Sequence, residues 1–195
     1  MNIILASASP RRKQLLEQVG CTFQVIPSTK EEPKLDHLPP HEGVMLLARQ
    51  KAEDTANTIQ SGIVIGADTI VATGRHILGK PRDEEEAFAM LSKLQGKRHD
   101  VYTGICVIRQ PEGKTITEYE KTAVYFAPMS REEILGYIAT GEPMDKAGAY
   151  GIQGYGAVYI QKVEGCYFNV MGLPLHRLHG MLKNMGYDVT GKCFR

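Results

Sequence analysis

The opening of the chain constrains its fold most. Asn2-Ile3-Ile4-Leu5-Ala6 is an apolar run of strand character, and Ser7-Ala8-Ser9-Pro10 closes it with a turn. Pro10 suits the first position of a helix and Ser9 the N-cap before it, with Leu15, Leu16 and Val19 as the apolar stripe that follows. A strand that turns straight into a helix is the start of an α/β arrangement. The helix also breaks a local rule. Arg11 and Arg12 occupy its first turn, where the helix dipole already places partial positive charge and further cations are disfavoured. Two guanidinium groups, free N–H groups and the hydroxyls of Ser7 and Ser9 converge there. An anion would complete such a site, and phosphate is the commonest one. The plainer alternative leaves both arginines in solvent, paired with Glu17 or a loop carboxylate.

The alternation continues down the chain. Residues 22–26 form a second strand, and a polar, proline-bearing loop runs from 27 to 40 with Glu31 and Glu32 in it. An amphipathic helix spans 42–59, with Val44, Leu47, Ala48, Ala52, Ala56 and Ile59 on one side and Lys51 at the edge of that stripe. Residues 63–71 are a buried central strand, and Gly74 is a hairpin turn. Asp83 caps a helix to Gln95, with Glu86 three residues on, close to a capping box, and Gly96 as the stop. Strands at 101–109 and 115–126 form a hairpin through Pro111-Glu112-Gly113. Ser130 and Glu133 form a second capping box for a helix that Gly141 ends. After a glycine-rich stretch come a strand at 158–163 and a last amphipathic helix after Gly172-Leu173-Pro174, stopped near Gly186. Helices alternating with strands, plus one hairpin, imply an α/β fold with a mixed sheet.

The 195 residues suit one domain, at roughly 150 residues per domain, and can bury a core without disulfides. A net charge of +1 argues against a general nucleic-acid binder, which normally shows a basic excess. Cys21, Cys106, Cys166 and Cys193 show no C-x-x-C spacing, so a reduced, cytoplasmic protein is the simplest account. No signal peptide is visible, and no apolar run approaches the ~20 residues of a spanning helix.

Asp68 is the strongest internal candidate for chemistry. A carboxylate inside a strand of β-branched residues is costly unless it is paired or bound to metal, and Gly66 beside it lets a ligand or another backbone come close. A structural, turn-capping Asp is the alternative. Gathered in one cleft, Arg11, Arg12, Lys51 and Lys80 could neutralise a polyphosphate. Glu31, Glu32 and Asp68 could hold Mg²⁺ or Mn²⁺, or activate water. In Asp145-Lys146-Ala147-Gly148-Ala149-Tyr150-Gly151-Ile152-Gln153-Gly154, small residues admit a ligand to the backbone, Tyr150 could line a pocket and Gln153 could read a base edge. A tight irregular connection is the alternative there. His176 and His179 bring no acidic third ligand and suit a surface or half-buried place. Neither a Walker A sequence nor a G-x-G-x-x-G after a strand is present.

Five segments, in order, resemble the Maf family of nucleotide pyrophosphatases over essentially the whole chain: Leu5-Ala6-Ser7-Ala8-Ser9-Pro10-Arg11-Arg12, Gly66-Ala67-Asp68-Thr69-Ile70-Val71, Leu78-Gly79-Lys80-Pro81-Arg82-Asp83, the run from Glu142 to Gly154, and Val170-Met171-Gly172-Leu173-Pro174. The resemblance implies a single domain over 1–195, a twisted mixed β-sheet flanked by helices, and two lobes around a central cleft. It implies metal-assisted hydrolysis of a nucleoside triphosphate to the monophosphate and pyrophosphate. Asp68 falls on the family's proton acceptor. Thr69, with Arg11 and Gln153, resembles the subgroup acting on dTTP and UTP, whereas a glutamine in place of Thr69 would resemble the subgroup acting on 7-methyl-GTP. Ser7, Arg12, Lys51 and Lys80 match phosphate-binding positions, and Glu32 with Asp68 the metal position. Two other readings stand beside this one: a nucleotide-binding regulator of cell division or septum formation without hydrolysis, and an enzyme preferring modified pyrimidine nucleotides. The sequence leaves the oligomeric state open, a homodimer included.

Overall fold

The structure, a computed structural model, describes residues 2–33, 38–74 and 76–189. The elements follow the alternation read from the sequence: β1 (Ile3–Leu5), α1 (Pro10–Gln18), β2 (Phe23–Val25), α2 (Pro40–Ala56), β3 (Gly62–Thr73), β4 (His76–Leu78), α3 (Glu84–Leu94), β5 (Arg98–Gln110), β6 (Lys114–Phe126), α4 (Arg131–Ile138), β7 (Ile160–Glu164), α5 (Tyr167–Val170) and α6 (Leu175–Asn184). Between α4 and β7 the chain winds through 3₁₀ turns at Glu142–Asp145, Ala147–Ala149 and Tyr155–Tyr159.

The strands form one mixed sheet in the order β2-β1-β3-β5-β6-β7, with β4 added to β3. The pairs β1–β2 and β1–β3 are parallel, and the others are antiparallel. Strand periodicity sends alternate residues of β3 to opposite faces. Ile63, Ile65 and Ala67 join Leu15, Leu16, Leu178 and Leu182 in a core beneath α1 and α6. Val64 joins Ala48, Ala52 and Cys106 in a core beneath α2. A third core, with Leu91, Leu94, Phe126, Ile134 and Tyr150, lies under α3 and α4.

Two features of this sheet create the site. The first is a gap. β1 ends opposite Ile65 and the antiparallel β4 ends opposite Val71, so residues 66–70 of β3 have no strand beside them on that edge. The cleft opens there, with the α1 lobe on one side and the α3–α4 lobe on the other. The gap lies just beyond the end of β1, where α1 begins, the usual place for a ligand in a parallel sheet. The second is a close helix approach. A Cβ on Gly66 would stand 2.3 Å from the Ala48 carbonyl oxygen, and one on Gly104 would stand 2.2 Å from that of Val44. Two glycines on the sheet face under α2 therefore let that helix lie almost on the sheet. The closeness anticipated at Gly66 is that of a helix backbone.

Several boundaries differ from expectation. The expected strand at 158–163 starts at Ile160, because the Glu142 carboxylate accepts from the N–H groups of Tyr155 and Gly156 and holds that stretch as a 3₁₀ turn. α2 begins at Pro40 and stops at Ala56; beyond it, Thr58 and Ile59 fold back in turn hydrogen bonds instead of completing the helix. Ser9 is the N-cap of α1, but its side chain does not cap; its own N–H donates to Ser7 Oγ at 3.3 Å. Asp83 caps α3, yet Glu86 turns to the N–H and guanidinium of Arg82, so the box is half made. The Ser130–Glu133 box forms in full. The loop expected at 27–40 lies partly outside the described residues, as does Cys193. Cys106 and Cys166 are free thiols.

Candidate active site

A cavity of about 970 Å³ fills the cleft, at the upper end of the size usual for small-molecule sites. Ser7, Arg11, Arg12, Glu32, Lys51, Asp68, Thr69, Lys80 and Gln153 all line it. The structure thus gathers these nine residues around one space, and one candidate from the sequence falls outside it. Glu31 is not among the lining residues; its carbonyl accepts from Gln50 Nε2 at 2.7 Å. His176 is exposed on α6 and His179 half-buried there.

Asp68 and Thr69 are neighbours on β3 and point to opposite faces, each meeting a cation from a different helix. On the α2 face, Lys51 Nζ lies 2.6 Å from Asp68 Oδ1 and 2.7 Å from Glu32 Oε1. The glycine-mediated approach of α2 makes this contact possible. Burial pushes the Asp68 carboxyl above the ordinary aspartate range, while Lys51 and Arg12 pull it back. On the other face, the buried guanidinium of Arg12 donates from Nε to the Gly172 carbonyl at 2.8 Å, from Nη1 to Ser7 Oγ at 3.0 Å and from Nη2 to Thr69 Oγ1 at 3.0 Å. Burial lowers the Arg12 pKa, with the Asp68 charge opposing that shift. The anomaly seen in the sequence therefore resolves differently for its two members. Arg12 turns inward and ties the turn after β1, β3 and the approach to α6 together. Arg11 stays on the rim, 3.4 Å from Asp145 Oδ2.

The opposite wall is the irregular segment after α4. Glu142 accepts from Tyr137 Oη at 2.7 Å and from the Tyr155 N–H at 2.7 Å, and Tyr137 Oη accepts in turn from the Gly151 N–H at 3.0 Å. These bonds bracket Gln153 and hold it on the cavity wall. The Gly148 N–H donates to the Gly79 carbonyl at 2.9 Å, which docks this segment beside Lys80. Tyr150 lines the cavity, but its ring packs edge-on against Phe126 and His99 and its hydroxyl meets His99 Nε2 at 2.8 Å.

Sequence reasoning passed over three contributors. Glu142 and Tyr137 hold the Gln153 wall, and Thr103 sits against Thr69, with 2.9 Å between the hydroxyl oxygens. A threonine in a strand carries no sequence signal of such a role; it emerges only when β5 pairs with β3 and sets Thr103 opposite Thr69.

A family model described as "Maf-like protein" matches residues 2–185. The chain belongs to this family. Curated relatives share about half of its sequence over nearly all of its length. One from Caldicellulosiruptor saccharolyticus is 49% identical over 191 residues, 96% of each chain. One from Carboxydothermus hydrogenoformans is 50% identical over 187 residues, 96% of this chain and 100% of the relative. One from Pelotomaculum thermopropionicum is 49% identical over 187 residues, 96% of this chain and 98% of the relative. Each of the three is named a dTTP/UTP pyrophosphatase. The Maf resemblance read from five motifs thus extends over the length of the chain.

Among the described residues no helix is long and apolar enough to cross a membrane.

Proposed function

We propose that this Maf-family protein is a metal-assisted nucleoside triphosphate pyrophosphatase, hydrolysing dTTP and UTP to the monophosphate and pyrophosphate and so trimming the nucleotide pool. The observation that carries this reading is the convergence of Arg12, Lys51 and Lys80 with Glu32 and Asp68 on one cavity. Phosphoryl chemistry is mostly positioning and charge stabilisation, and this mixture of signs supplies both. The names of the relatives support the same substrates.

Ser7 Oγ accepts from Arg12 Nη1 and from the Ser9 N–H, so its own proton is left to donate to a phosphate oxygen. Arg12 commits three N–H groups to the protein, and its remaining donors can reach the same anion. Lys80 is exposed on the rim and meets the outer phosphates. Asp68 Oδ1 is held by Lys51, which leaves Oδ2 to take the proton of the attacking water. On the base side Arg11, Thr69 and Gln153 meet the pyrimidine.

The carboxylates fit a hard cation. Glu32 and Asp68 direct one oxygen each at the same ammonium, so their oxygens share a single point of charge. No group of three or more His, Cys, Asp or Glu suited to a metal is assembled among the described residues. That suits Mg²⁺ or Mn²⁺, which take one or two carboxylates and complete their shell with water and substrate phosphate. Glu32 and Asp68 would hold the ion, which when bound polarises phosphate oxygens and lowers the pKa of water.

The test is release of pyrophosphate from a panel of triphosphates, standard and modified pyrimidines included, with Mg²⁺ or Mn²⁺. Turnover of dTTP and UTP is expected, with a loss of about 10²–10⁴-fold in Asp68→Asn. Tight nucleotide binding without pyrophosphate release would overturn the enzymatic reading and leave a regulatory one. Unchanged turnover in Asp68→Asn would remove Asp68 from its role.

A further inference from the structure

We propose that Thr103 and the backbone carbonyl of Asn169 lock the Thr69 hydroxyl into a hydrogen-bond acceptor, so that it takes the N3–H of uracil or thymine and opposes cytosine. This rests on the reading of Thr69 as a residue that meets the base. Thr103 is then a positioning residue that sets base choice without touching the nucleotide.

Thr103 is fully buried on β5, and its Oγ1 lies 3.0 Å from the carbonyl oxygen of Asn169 and 2.9 Å from Thr69 Oγ1. A carbonyl cannot donate, so the single hydroxyl proton of Thr103 goes to Asn169. The opposite orientation would set two buried oxygens lone pair against lone pair, with no water able to intervene. Thr103 therefore accepts from Thr69, and the Thr69 proton is committed to it. On its other side Thr69 Oγ1 meets Arg12 Nη2 at 3.0 Å, and a guanidinium can only donate. With its proton on Thr103 and one lone pair on Arg12, Thr69 offers the cavity a single remaining lone pair.

The anchor of this chain is rigid. The Asn169 carbonyl also accepts from the Gly172 N–H at 2.9 Å. The fully buried Asn169 side chain donates to the Val101 carbonyl at 3.0 Å and to Thr122 Oγ1 at 2.9 Å. Nothing in this arrangement lets the carbonyl turn away and free the Thr103 proton.

An acceptor-only hydroxyl discriminates between pyrimidines. The pairing edge of uracil or thymine carries one donor, N3–H, between two carbonyl oxygens. Cytosine places an unprotonated nitrogen at the same position. The locked Thr69 oxygen pairs with the first and repels the second. Sites built around a fixed hydrogen-bond direction reject the mismatched ligand more strongly than apolar pockets do, because the mismatch leaves buried polar groups unpaired.

The deciding experiment compares kcat/KM for UTP and CTP in the wild type, Thr103→Val, Thr103→Ser and Thr69→Val. Thr103→Val removes the acceptor, so the Thr69 proton becomes free to turn into the cavity. The expected result is a gain in CTP hydrolysis with UTP hydrolysis largely kept, lowering the UTP preference by roughly tenfold or more. Thr103→Ser restores the relay and the preference. A merely structural defect would depress both substrates together and could not raise CTP turnover. If Thr103→Val does not fold, Thr103→Ala makes the same prediction without the branched side chain. Loss of the preference in Thr69→Val with a wild-type ratio in Thr103→Val would overturn the relay and leave the base contact standing. A wild-type ratio in Thr69→Val would show instead that Thr69 does not meet the base, and the relay would fall with it.

Discussion

On the proposed reading, the single side chain of Arg12 is structural and functional at once. Its fork reaches three oxygens on three separate segments, Ser7, Thr69 and Gly172. Lysine carries the same charge but no fork, so Arg12→Lys leaves buried acceptors unpaired. It should cost about 1–3 kcal/mol in urea unfolding and raise KM for UTP, because the cleft edges lose their common tie. Wild-type stability and KM would remove Arg12 from both roles. His99 offers a residue-scale test of burial. Burial among Phe126 and Tyr150 lowers its pKa from 6.5 to about 4, with the Asp100 charge opposing, and its buried Nδ1 has no hydrogen-bond partner among the described residues. Above pH 6.5 the folded and unfolded states are both neutral at this residue. Between 6.5 and about 4 the unfolded chain takes the proton and the folded chain does not, so stability falls with pH by up to about 1.4 kcal/mol per unit. His99→Gln should flatten urea stability across that window relative to the wild type; parallel curves would contradict the assignment.

At the scale of elements, the approach of α2 to β3 and β5 decides whether the ion pair Lys51–Asp68 exists. In Gly66→Ala the new Cβ would stand 2.3 Å from the Ala48 carbonyl oxygen and 2.7 Å from the Ala52 nitrogen, both backbone atoms that cannot swing aside. The helix must lift, carrying Lys51 with it. Overpacking of this kind should destabilise the protein by about 1–3 kcal/mol. Turnover should also fall in protein that melts well above the assay temperature. Gly180→Ala is the control. It lies in the interior of α6 with open space around it, and should raise stability by about 0.5–1 kcal/mol with turnover unchanged. Equal turnover in Gly66→Ala and the wild type would uncouple helix position from chemistry.

At the scale of the whole molecule, the site is a gap in a sheet flanked by two lobes, and three separate cores pack the helices onto that sheet. Those cores are apolar, and the acidic residues facing the cleft do not build a closed cage among the described residues. Chelation with EDTA should therefore abolish pyrophosphate release and leave the melting temperature within about 1 °C, since an ion held by two carboxylates and substrate phosphate adds little to the stability of the nucleotide-free protein. A marked drop in melting temperature on chelation would show that the cation holds the lobes together.

The alternation of strands and helices, the capping box at Ser130 and Glu133 and the glycine stops were legible in the sequence because they rest on contacts a few residues apart. So was the charge anomaly at Arg11 and Arg12, since a helix dipole is a local field. What the five motifs share in space was not. Arg12, Asp68, Lys80 and Gln153 meet only because β1 stops opposite Ile65, β4 stops opposite Val71 and β3 runs between them unpaired on that edge. Strand register decides that Asp68 faces α2 while Thr69 faces Arg12 and Thr103. Hydrogen-bond direction at Thr69 depends on the carbonyl of Asn169, far along the chain, and only long-range packing can place it there. Local rules chose the elements of this protein, and the pairing of distant segments made them a site.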